Sequence, residues 1–188
     1  VLERSGVAVH RGAPDFAAAL PTVLSLRGAA YAATWAPLLE RHRGQFTPGV
    51  LGDIERGLSQ APATLTAAER HRAEMFRRAA TFLDEHEFLI APSAPVLPFP
   101  VEAGWPREIA GVRQQTYVDW IAITAIPSLL ASPALALPAG FSDAGLPFGV
   151  QIIGRPRSEA RLFRVAAWIE ALLALPKAPI DPRGAPRG

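Results

Sequence analysis

Cysteine is absent from the 188 residues, and lysine and methionine occur once each, as Lys177 and Met75. Without thiols there is no disulfide, no thiolate nucleophile and no Cys-x-x-Cys metal site. The four histidines, His10, His42, His71 and His86, have no close spacing that suggests a metal pair. Long apolar runs are missing too. The longest, around residues 120–137, is broken by Thr124, Pro127, Ser128, Ser132 and Pro133, whereas a membrane span needs about 20 apolar residues in a row. No basic segment leads into an apolar one near Val1, as a cleaved signal would require. Phosphate-cradling glycine loops are absent: there is neither a P-loop nor a G-x-G-x-x-G. These absences predict a soluble, cytoplasmic protein with no metal, no cofactor and no membrane partner. One-sided charge is also lacking, since 19 basic residues face 17 acidic ones for a net charge of +2. Eighteen of the 19 basic residues are arginines. They are scattered (Arg41, Arg43, Arg70, Arg72, Arg77, Arg78, Arg155, Arg157) without interleaved aromatics, so no nucleic-acid partner is expected.

What is present is an apolar, proline-rich chain long enough to bury a core: 49% of residues are hydrophobic and 19 are proline. The segment "GVAVHRGAPD" reads as a strand over residues 7–10, a turn, and a helix starting at Asp15 that runs to about residue 42 with a break near Pro21 or Pro37. Phe16, Leu20, Val23, Leu24 and Leu26 supply its 3.6-residue period. A further helical stretch falls around residues 50–58. In "TLTAAERHRAEMFRRAATFLDEHE", Thr66 and Glu69 predict a capping box, and Met75, Phe76, Ala79, Phe82 and Leu83 one apolar stripe. Residues 88–91 and 134–137 are short continuous apolar runs, as expected for strands covered on both faces. Between them lie a proline-rich loop over residues 92–106 and a helix from Tyr117, ended or kinked near Pro127. The turn "SDAGLP" then leads to a strand over residues 148–153, and Ser158 opens a last helix with Leu162, Val165, Ala166, Ile169, Leu172 and Leu173 on one face. The fold class is therefore α/β, a mixed β-sheet covered by helices, over residues 1–175, followed by a frayed proline-rich tail, 176–188.

Catalytic constellations are hard to assemble from these residues. There is no G-x-S-x-G elbow for a triad hydrolase and no paired carboxylates at strand ends. A Ser–Lys hydrolase needs a lysine whose pKa burial lowers, and Lys177 sits in the tail. No catalytic residue is expected within this chain.

The stretch "SPALALPAGFSDAGLPFGVQIIGRPRSEARLFRVAAWIEALL" resembles the carboxyl-terminal region of the amidase signature family. It carries Pro138-Ala139-Gly140-Phe141, then Gly145-Leu146-Pro147 with Gly149, Gln151 and Gly154 at the family's spacing. "FLDEHEFLIAPSAPVLPFP" and "TYVDWIAITAIPSLLASPALALP" are similar to the preceding segments, so the match runs well over residues 65–173 and more weakly before. Members hydrolyse carboxylic amides with a serine nucleophile, a second serine and a lysine base, all placed upstream of the region that begins here. The resemblance thus implies the carboxyl-terminal part of an amidase, with a small-molecule amide substrate, the missing amino-terminal part as partner, and Tyr117, Trp120 and Thr124 facing the acyl pocket. A non-catalytic truncated paralogue acting as an interaction protein is the alternative, and an uncovered sheet edge in either would favour association or a homo-oligomer.

Smaller assignments follow from side-chain chemistry. Asp119 reads as a helix-face or helix-start residue, with acceptance of a polar substrate group as the alternative, and Ser93 and Ser132 read as turn formers. Gln151, an amide inside an apolar strand, must be hydrogen-bonded and ties its strand to a neighbouring loop, a structural role. Gly149 admits a close backbone approach, Gly145 supplies a positive φ, and Gly154-Arg155-Pro156 ends the ladder.

Overall fold

Two glycines facing each other set the first helical layer. The computed structural model describes residues 1–176; Lys177 and all but the first residue of the expected tail lie outside the described residues. Helix α1 (Ala19–Trp35) starts four residues later than expected, because the Asp15 carboxylate is engaged by the Ala17 N–H and by Arg78, both at 2.9 Å. Pro21 falls in the first turn, where its missing N–H has no role. Pro37 is the break: a 3-10 turn over Ala36–Leu38 separates α1 from the single-turn α2 (Leu39–His42). Helix α3 (Pro48–Ser59), capped by Thr47, lies so near α1 that a Cβ on Gly57 would stand 1.9 Å from the Gly28 carbonyl oxygen. The close crossing selects small residues, so α1 buries Ala19, Thr22, Val23, Ser25 and Gly28; of the expected stripe only Val23 is among them. Arg27 donates to the buried Asp53 at 2.6 Å, and Ser25 and Gln60 exchange two hydrogen bonds.

Helix α4 (Pro62–Glu85) begins at Pro62, whose ring pre-sets the first helical φ. Thr66 is therefore inside the helix, its hydroxyl donating to the Pro62 carbonyl, and Glu69 pairs with Arg72; the expected Thr66–Glu69 capping box does not form. Met75, Ala79 and Leu83 are buried from the expected stripe, while Phe76 is exposed and Phe82 half-buried. Ala19, Met75, Ala79 and Leu130 make one core cluster.

The remaining elements are β1 (Leu89–Pro92), a small hairpin of β2 (Glu108–Ile109) and β3 (Val112–Arg113), α5 (Tyr117–Leu129), β4 (Ala134–Phe141), β5 (Pro147–Ile153) and α6 (Glu159–Leu173). The fold is α/β. Its main sheet has the order β1-β5-β4, each pair antiparallel. Gly145 closes the β4–β5 turn at φ +75°, as expected. A bulge between Pro138 and Gly140 lets the ladder continue past the proline, so both strands outrun their expected ranges. A Cβ on Gly149 would meet both the Leu137 carbonyl oxygen and Ser93 Oγ at 2.8 Å, the close approach anticipated for it. Ile152 joins Leu137, Leu162, Ala166 and Ile169 in a second core under α6.

Two expectations about strands are corrected. The runs at 88–91 and 134–137 are not covered on both faces: exposure alternates along β1 and β4, and Ile90 is 40% exposed. These are the outer strands of a three-stranded sheet, and the helices cover them unevenly. Residues 7–10 form no strand; among the described residues their backbone makes one hydrogen bond to other backbone, Val7 N–H to the Leu2 carbonyl, and no strand lies in register beside them.

A Gly57→Ala variant should lose about 3 kcal/mol or more to overpacking, whereas Gly49→Ala, with open space around it, should stay within about 0.5 kcal/mol of the parent. Urea denaturation of both checks the crossing; equal midpoints would refute it.

Candidate functional site

Helix α5 begins where Asp119 turns back on its own N-terminus. Its carboxylate accepts from the Gln115 N–H at 2.6 Å, the Thr116 N–H at 3.1 Å and the Thr116 hydroxyl at 2.5 Å, a capping box and the helix-start role expected of it. Burial pushes this carboxyl up, but those three donors and the charge of Arg56 outweigh it and hold its pKa below the ordinary value. Arg56 projects from α3 over α1, its Cδ 3.4 Å from where a Gly28 Cβ would sit, and its buried Nε has no hydrogen-bond partner among the described residues.

Pro127 lies inside α5, which runs two residues beyond it. With no N–H, Pro127 leaves the Ile123 carbonyl, four residues back, without its helical donor. Gln151 of β5 fills that place: its Nε2 donates to the Ile123 carbonyl at 3.3 Å and to the Pro92 carbonyl at 3.1 Å. Since Ile152 points to α6, the alternation of a strand aims Gln151 at α5 on the opposite face. One buried amide thus joins α5, β5 and the end of β1: Gln151 has the structural role expected of it, but its partners are a helix and a strand end where a loop was expected.

On the exposed side of α5, Tyr117, Trp120 and Thr124 share one face at helical spacing. Tyr117 is 51% exposed and meets Trp120 edge to face at 5.8 Å; Trp120 meets Phe99 of the proline-rich loop likewise at 5.8 Å. The three rings form a ladder from loop to helix. Trp120 Nε1 is buried and has no acceptor among the described residues. Thr124 is exposed, with its hydroxyl proton spent on the Ile121 carbonyl at 2.7 Å, so it offers only lone pairs outward. The structure therefore brings Tyr117 and Trp120 into contact and leaves Thr124 one turn along. Sequence reasoning missed Phe99, an aromatic among prolines with no periodic neighbour, and Arg56, whose proximity to α5 arises only from the helix crossing. Beyond Phe99 the loop is braced by Arg107 over the Trp105 ring at 3.8 Å and by the β2–β3 hairpin, whose turn residues Ala110 and Gly111 both have positive φ. Ser132 acts in a turn, its N–H donating to the Pro127 carbonyl, whereas the Ser93 N–H donates to the Gly149 carbonyl and so extends the β1–β5 ladder, not the turn expected of it. Among the described residues no three His, Asp or Glu side chains come together as a metal would need, and no helix is long and apolar enough to cross a membrane.

Gln151→Leu should cost about 1–3 kcal/mol by orphaning two carbonyls. Adding Pro127→Ala, which restores an N–H for Ile123, should return part of that loss; a double-mutant cycle with no coupling would contradict the link. Asp119→Ala should cost about 1 kcal/mol at neutral pH. Because the folded pKa is lowered, the carboxylate's contribution is complete above the unfolded value of about 3.9 and fades as pH falls through the folded one. The gap between parent and variant should accordingly narrow in acid, and a gap that stays constant down to pH about 2 would count against the capping assignment.

Comparison with known proteins identifies the family. The family model described as Amidase matches residues 35–163. The chain is similar to an acylamidase of Rhodococcus erythropolis, 35% identical over 135 residues that make up 71% of this chain and 28% of that protein. It is 32% identical to a putative amidase, AmiA2, of Mycobacterium bovis over 179 residues, 91% of this chain and 35% of that one. Among solved structures it superposes on 6-aminohexanoate cyclic dimer hydrolase complexed with substrate at a TM-score of 0.73 and 19% identity, over 93% of this chain and 39% of the other. A bacterial aryl acylamidase of the amidase signature family superposes at 0.68 and 21% identity, over 82% and 33%. At those identities the structural likeness speaks for the fold. The chain spans about a third of the length of the curated relatives it matches. With the family model covering α3 through the start of α6, the chain belongs to the amidase family, of whose domain it forms a part.

Proposed function

We propose that this chain builds one wall of the substrate pocket in an amide hydrolase, and that the serine nucleophile, its companion serine and the lysine base lie in the part of the amidase domain it does not span. The aromatic ladder Phe99–Trp120–Tyr117 carries this reading. It is a half-exposed apolar surface with a buried, acceptor-free indole N–H at its centre, the combination by which pockets exclude water and fix orientation with few polar groups. In hydrolysis the amide C–N bond breaks and water adds across it. The work left to this chain is to hold the acyl part against the rings, with Thr124 at the pocket's edge, while the attacking and proton-transferring groups act from the other side. Residues 1–175 then act as one unit with the missing part as its partner, and a small amide is the substrate.

Assayed alone against a chromogenic aryl amide, the chain should show no serine-dependent turnover. Completed with the amino-terminal part of the acylamidase relative, it should turn over, and Trp120→Ala should raise KM about tenfold, equivalent to about 1.4 kcal/mol of binding. Turnover by the chain alone, or unchanged kinetics in the Trp120 variant, would overturn the proposal.

A further inference from the structure

Two non-glycine residues with left-handed backbone border one cavity. Ala131, at φ +48°, stands between Leu130 and Ser132, and Arg157, at φ +65°, follows Pro156. Leu130, Ser132 and Pro156 all line a cavity of about 210 Å³. Such strain persists only where the surrounding structure over-determines it, and it gathers at binding sites. The buried wall is Leu130, which belongs to the core shared by α1 and α4. Phe76 and Ala80, both exposed on α4, form the open side. The rim is polar. Arg155 Nε donates to the Leu83 carbonyl at 2.8 Å, Nη2 shares that acceptor, and Nη1 pairs with Asp84 Oδ1 at 3.0 Å. Each Nη carries a second N–H and Asp84 has a second oxygen, and both side chains are exposed. A charged donor and a charged acceptor thus stand side by side at the mouth.

The sheet separates this cavity from the aromatic ladder. β1 runs from Leu89 to Pro92 towards the loop that carries Phe99, and β5 runs antiparallel to it, so the turn after β5 lies at the opposite end. Leu130 is ten residues beyond Trp120, about 15 Å along the helix. We infer that the cavity is a second binding site, and that its ligand is a small uncharged carboxamide on an apolar body of one ring. The volume sets the body: an apolar cavity of about 150 Å³ takes a benzene ring, so 210 Å³ holds a six-membered ring and one small polar group. The rim sets that group. A carboxylate would gain Arg155 and meet the like charge of Asp84; an ammonium would do the reverse. A primary amide presents C=O and N–H along one edge, so its oxygen accepts from an Arg155 Nη while its nitrogen donates to Asp84 Oδ2. Its ring then lies between Phe76, Ala80 and Leu130. The amide class follows from this rim and does not depend on reading α5 as a substrate wall.

Heteronuclear NMR of the chain, titrated with cyclohexanecarboxamide, tests this. The backbone amides of Leu130, Ser132 and Arg155 should shift together and saturate, with the Trp120 indole N–H unmoved. Cyclohexanecarboxylate and cyclohexylmethylammonium should each bind at least tenfold more weakly. Asp84→Ala should weaken the carboxamide at least tenfold and leave the carboxylate bound at least as tightly as before. Ala80→Trp, which fills the cavity from an exposed helix position, should abolish the shifts; unchanged β5 amide signals in both variants show that they fold. Absence of saturating shifts, equal affinity for carboxamide and carboxylate, or binding that survives Ala80→Trp each overturns the site. Shifts confined to Tyr117 and Trp120 also overturn it, and they leave the proposed substrate wall standing; saturation at the cavity with those two residues silent in the completed enzyme does the reverse.

Discussion

The hydrogen bond from Gln151 to the Ile123 carbonyl is the contact on which the arrangement depends. Pro127 removes one rung of α5, and a strand on the far side of the polypeptide supplies it. The same amide holds the end of β1. The helix that carries Tyr117 and Trp120 is thereby fixed in rotation and height against the sheet by one buried side chain, at a point where its own ladder cannot bond. Buried polar groups of this kind cost free energy when unpaired and rigidify when satisfied, so the proline and the glutamine are best understood together.

Around this joint the molecule has two layers. Helices α1, α3 and α4 meet through small residues and the Gly28–Gly57 crossing, and α6 covers one face of the sheet with Leu162, Ala166 and Ile169. Helix α5 touches both: Leu130, just beyond its end, joins the α1–α4 core, and its middle bonds to β5. A second link runs from the β5–α6 turn to the end of α4. Arg155 donates to the Leu83 carbonyl and pairs with Asp84 at 3.0 Å, meeting helix-end carbonyls that have no partner of their own. The aromatic ladder stands where these layers and the proline-rich loop converge.

Much of this was legible in the sequence wherever a residue's chemistry has few outlets. Gly145 and Gly149 occupy positions where a Cβ is strained or blocked, Gln151 had to find acceptors, Asp119 opens a helix, and the period of α6 names its buried face. Other features depend on neighbours that a linear reading does not supply. The buried stripe of α1 is displaced because α3 approaches within glycine distance. The capping box appears at Thr116 and Asp119 and not at Thr66 and Glu69, because Pro62 starts its helix a turn earlier. The outer strands look covered in sequence, being apolar on both faces, but only part of that surface meets a helix within this chain. Phe99 reaches Trp120, and the charge of Arg56 reaches Asp119, through the tertiary fold alone.

The central claim is that α5, fixed by Gln151, presents Trp120 to the bound amide. Its most direct test is the NMR signal of the Trp120 indole N–H in the completed enzyme, followed as benzamide is added. The account predicts that this signal moves with saturation while those of Trp35 and Trp168 stay in place. A Trp120 signal that remains fixed while benzamide demonstrably occupies and inhibits the enzyme would contradict it.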